Sequence, residues 1–162
     1  MESEALNKIT ARYNFREDRI TIDGVIHTGQ QLQMVLTQRL ARAIVLELVR
    51  HVSVAAKNAM MNDFAQELAV LSREQLEPVD AKESHNVWLV THLHVQPLHK
   101  GTRLIFTEDD KSAVHVNCTD AVLRNLIDII YKSFVAGDWP LDIFPDWVCV
   151  QTLDALPPNI MN

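Results

Sequence analysis

The sequence predicts an α+β fold, and three observations carry that reading. Apolar side chains recur at helical spacing through residues 28–75, with no glycine or proline between Gly29 and Pro78. Residues 87–117 alternate apolar and polar positions between turn-forming clusters, as short strands do. Residues 119–136 return to helical spacing between a capping threonine, Thr119, and a terminating glycine, Gly137.

Taking the elements in order, Ala5, Leu6, Ile9 and Tyr13 fall on one helical face over residues 3–13, with Ser3 placed to cap. Residues 12–27 read as short strands around a turn at 15–19, and Asp23-Gly24 reads as a tight turn or a bulge. Thr28 then caps the long helical region, whose stripe runs from Leu32, Leu36 and Leu40 to Phe64, Leu68 and Leu71. As one helix it would be on the order of 70 Å long and would need a partner chain beside it. An antiparallel pair, broken near 51–54 or 62–63 with Ser53 or Asn62 as cap, suits a small domain, and we read two helices.

A polar connector over 77–85 leads to the clearest strand, 87–96. Turns at 97–101 and 108–111 separate it from strands 102–107 and 113–117. The expected core is a meander of three or more antiparallel strands, packed against the helical region 28–75 and the helix 119–136. All of 1–162 is expected to form a single α+β domain. Its last part, 139–162, is an irregular tail rich in proline and aromatic residues. Aligning residues 12–32 with 103–123 matches Arg12/Arg103, Phe15/Phe106, Glu17/Glu108, Asp18/Asp109, Val25/Val116, Thr28/Thr119 and Leu32/Leu123. Both segments read strand, acidic turn, strand, threonine cap, helix, so two ββα repeats, 12–45 and 103–136, are expected from duplication or from reuse of common local grammar.

Composition narrows the function classes. A formal charge of −6 argues against a general nucleic-acid binder, since phosphate recognition needs a basic face. Arg39, Arg42 and Arg50 offer only a local stripe interrupted by Glu47, so nucleic acid is an unlikely partner. Two widely spaced cysteines, Cys118 and Cys149, and the acidic start Met1-Glu2-Ser3-Glu4 point to a reducing, cytoplasmic setting. The most apolar stretch, 41–49, contains Arg42 and Glu47 and is too short to span a bilayer.

Chemistry-bearing patterns are few. Glycine-rich phosphate loops, G-x-S-x-G and H-E-x-x-H are all absent, so no catalytic residue and no cofactor is assigned. Histidines gather at His85, His92, His94, His99 and His115. His92 and His94 share a strand face, and His115 on another strand could complete a three-nitrogen metal site. The plainer reading is solvated histidines. Cys118, just before the Thr119 cap, is the better placed nucleophile of the two cysteines, but the plainer reading is a small buried side chain at a strand–helix junction.

The leading expectation is therefore a non-enzymatic, protein-binding regulatory protein, and a homodimer is expected because the long apolar helical stripe and the aromatic tail offer more apolar surface than one small sheet can cover. Trp139, Phe144 and Trp147 are named as the contact residues, on condition that they are not buried within one chain. A metal-dependent enzyme or metal sensor using His92, His94 and His115 is the alternative. A nucleic-acid-binding regulator using the helix arginines is the third.

Overall fold

A computed structural model describes residues 2–56, 58–73, 77–81, 86–109 and 111–148. The fold is α+β. Seven strands form one mixed sheet in the order β4-β3-β2-β1-β7-β6-β5. Along the chain these are β1 (Glu4–Asn14), β2 (Arg19–Ile26), β3 (Gln31–Leu36), β4 (Val87–Leu89), β5 (His92–Pro97), β6 (Thr102–Glu108) and β7 (Ser112–Cys118). Helices α1 (Gln38–Ala55) and α2 (Ala59–Leu71) follow β3, and α3 (Asp120–Ala136) follows β7.

The N-terminal segment read as a helix is β1, and a bulge explains the misreading. Leu6 pairs with Ile26 but Lys8 pairs with Val25, so Asn7 is an extra residue in the ladder. The bulge turns one strand step of two into a step of three. Leu6, Ile9, Ala11 and Tyr13 therefore all meet the core from one strand while mimicking helical spacing. Asp23-Gly24 is no turn, but lies inside β2 beside this bulge.

Thr28 caps no helix either. It sits in the β2–β3 turn, where Gly29 takes φ +88° and donates its N–H to Ile26 O at 2.8 Å. Leu32, Met34 and Leu36 are fully buried at period two, which makes Gln31–Leu36 a strand. Thr37 is the true cap, its Oγ1 accepting from Leu40 N at 3.2 Å. The helical region divides in two, α1 ending at Ala55 and α2 starting at Ala59, rather than at either expected break. Asn58 caps the second helix, accepting from Met61 N at 2.9 Å.

Strand 87–96 is also divided. β4 pairs parallel with β3, whereas β5 pairs antiparallel with β6 at the far edge of the sheet. Only Val90 and Thr91 lie between them. Val90 N donates to Val35 O at 3.0 Å and Thr91 N donates to Thr107 O at 2.8 Å. The two edges are thus joined by one two-residue step, and the sheet curls. Inside the curl, Ala41, Ile44, Val45, Leu48 and Val52 of α1 and Leu123, Ile127, Ile130 and Phe134 of α3 share one core with β1, β2, β3, β6 and β7.

Strands β5, β6 and β7 pair antiparallel in sequence order, but as one part of a larger mixed sheet. The parallel pairing of Glu4 with Val114 and Ala5 with His115 joins them to the first hairpin. The expected ββα repeats do not emerge, because β3 stands where the first repeat required a helix. What the aligned segments share is a hairpin turn: Asp18 and Asp109 both adopt left-handed φ, 51° and 48°. Thr119 and Gly137 bound α3 as expected, with Gly137 N donating to Ser133 O at 3.0 Å.

Candidate functional site

The aromatic tail turns inward. Trp139, Phe144 and Trp147 are only 5%, 7% and 8% exposed. Phe134 meets Trp139 and Phe144 edge-on at 5.0 and 5.1 Å, and Tyr131 meets Phe144 at 5.0 Å. Trp139 Nε1 also donates to Asp18 Oδ1 at 2.8 Å, as Tyr13 Oη does at 2.5 Å, pinning the tail to the β1–β2 turn. These donors hold the Asp18 carboxyl below its ordinary range. The rings fail the exposure condition and act as core that covers α3. The tail beyond Val148, with Cys149, lies outside the described residues.

The histidines do not converge. His94, Ile105 and His115 lie in one cross-strand row, with Ile105 of β6 between the two imidazoles. His115 is instead held by Ser3, whose Oγ lies 2.8 Å from Nδ1. Burial and nearby Arg103 push its pKa down. His92 and His94 are exposed and stacked 6.4 Å apart. No group of three metal-ligating side chains occurs among the described residues, which exclude His85.

Cys118 is buried, and burial pushes its thiol up to about 11. At neutral pH it is therefore protonated and a poor nucleophile. The helix arginines make no stripe either. Arg42 forms a two-point pair with Asp142 at 2.8 and 2.9 Å, and Arg50 closes on Glu47 at 2.6 Å. An open groove of about 590 Å³ is lined by Gln38, Arg39, Arg42, Pro140 and Asp142, so this acid–base pair forms part of its wall.

The unusual element is α2, which packs with its polar face inward. Asn62, Gln66 and Ala69 are its buried residues, spaced three and four apart on one face. They meet α3 through Arg124, which is itself buried in the second turn of that helix. Arg124 Nη2 donates to Asn62 Oδ1 at 3.0 Å, Nε donates to Asp120 at 2.8 Å, and its guanidinium stacks 5.5 Å from the Trp147 ring. Gln66 Nε2 donates to Arg124 O at 3.0 Å. Just past the helix end, Arg73 reaches Asp128 at 2.7 Å, and Lys132 shares that carboxylate at 2.8 Å.

With its polar face anchored, α2 turns its apolar face out. Met60, Phe64, Leu68 and Leu71 are 80%, 68%, 55% and 77% exposed, and Met61 lies beside them. Their spacing of four, four and three residues draws one continuous stripe along the helix. The sequence displays this stripe and its surplus over what one small sheet can cover, but periodicity alone does not say which of its residues stay exposed. The signal that could have singled out α2 was the opposite face, where Asn62, Gln66 and Arg73 could be met by Arg124 and Asp128.

No family model, curated protein or solved structure matches the chain. Among the described residues, no helix is long and apolar enough to cross a membrane.

Proposed function

We propose that this protein is a non-enzymatic, protein-binding module whose contact surface is the outer face of α2. The observation that supports it is the inversion of that helix: the buried Arg124–Asn62 hydrogen bond and the part-buried Arg73–Asp128 ion pair fix its polar side, leaving Met60, Phe64, Leu68 and Leu71 open. Soluble proteins rarely expose a contiguous apolar patch beyond a few hundred Å² unless it binds something. The surface moves from the aromatic tail to α2, while the class of function read from the sequence is retained.

Site-specific photo-crosslinking tests the reading. A photoreactive residue at position 64 is expected to give protein adducts in cells, with little at Glu17, an exposed turn on another part of the fold. Adducts at position 64 no more abundant than at position 17 would overturn it.

A further inference from the structure

We infer that the occupant of this face is a second copy of the same chain, docked as an antiparallel pair of α2 helices about a twofold axis. The inference rests on α2 being a contact surface and adds the identity of the partner. The stripe suits pairing with itself. Met60 and Leu71 mark its ends, and Phe64 and Leu68 flank its middle. In an antiparallel pair, each end residue meets the opposite end of the other copy, and each Phe64 meets a Leu68. Such isologous contact needs no feature the chain lacks.

The area agrees. Five exposed side chains of this size amount to roughly 600 Å² per chain, so pairing removes at most about 1,200 Å² from them, the lower end of stable specific interfaces. Ala65 and Ser72 border one side of the stripe and allow the helices to approach closely. Asp63 and Glu67 border the other, both exposed. In the antiparallel pair these acids gather with their counterparts from the second copy. Their repulsion sets a signature: added salt screens it, so the dimer tightens with ionic strength. A basic amphipathic partner helix would show the opposite salt dependence.

Sedimentation equilibrium of the full chain, in roughly 50 mM and 500 mM salt, tests the inference. The expected result is a monomer–dimer equilibrium that tightens at the higher salt. Phe64→Glu and Leu68→Glu should each weaken it about 30-fold or more, as loss of a central anchor does, with unchanged far-UV circular dichroism. A wild-type chain that stays monomeric at micromolar concentrations, or a dimer insensitive to both substitutions, overturns the second-copy assignment. In that event, crosslinks from position 64 to other proteins would still uphold α2 as a binding face, and their absence would remove both readings.

Discussion

His115 shows how a side chain that suggests chemistry is absorbed by its surroundings. Its ring lies beside Ser3, whose carbonyl is 3.1 Å from Nδ1, and half-burial near Arg103 disfavours the imidazolium. The folded pKa lies below the ordinary 6.5, so the unfolded chain takes up this proton first as pH falls. The resulting contribution to stability is complete above pH 6.5 and is lost as pH falls through the folded value. Urea midpoints should therefore decline on acidification below neutrality. His115→Asn should flatten that part of the slope, and an unchanged slope would assign it to other groups. Asp18, held low by Tyr13 and Trp139, acts in the same direction at more acidic pH. At this scale the sequence was legible where one residue performs a local task, as Thr119 and Gly137 do at the ends of α3. It was silent on Arg124, because an arginine between Leu123 and Leu126 becomes a core residue only once Asn62 and Trp147 arrive from elsewhere in the chain.

Among the elements, α2 depends most on its neighbours. Its orientation is set by a polar layer, and that layer has one flaw: among the described residues, Gln66 Oε1 is buried without a hydrogen-bond partner. An orphaned buried acceptor costs about 1–3 kcal/mol. The bond from Gln66 Nε2 is to Arg124 O, a mid-helix carbonyl that α3 already engages. Gln66→Met should accordingly stabilise the fold by about 1 kcal/mol, read from chemical denaturation. A loss of more than that would mean the amide is essential to docking α2. Element type was least legible where two periods overlapped. The bulge at Asn7 gave β1 a helical spacing, and the Met34-Val35-Leu36 run let β3 pass for the start of α1. Strands β6 and β7 and helix α3 were readable because turns or caps bound them.

For the whole molecule, the step at Val90-Thr91 matters more than any single helix. It belongs to both edges of the sheet, and nothing in residues 87–96 announces that the strand changes partner there. Gly101 adds a second constraint at the β5–β6 turn. It takes φ +100°, and a Cβ would sit 2.4 Å from Cys118 O, so the end of β7 packs directly on its backbone. Thr91→Pro removes the donor to Thr107 and should destabilise the protein by about 3 kcal/mol or more. Amide exchange should then accelerate across β3 and β6 together, since the lock couples them. Acceleration confined to β5 and β6 would show that the edges behave independently.

The pairing of β1 with β7 has a temporal consequence. Glu4 and Ala5 lie against Val114 and His115, so β1 lacks one neighbour until more than a hundred further residues have left the ribosome. At roughly 5–20 residues per second, that delay is about 5–20 s. Through this interval the hairpin of β1 and β2 presents an unpaired edge, and the apolar side of α1 has no α3 to meet. Native assembly therefore waits for β7 and α3 to emerge, and a nascent chain stalled before β7 would present the ribosome-associated chaperones with an open sheet.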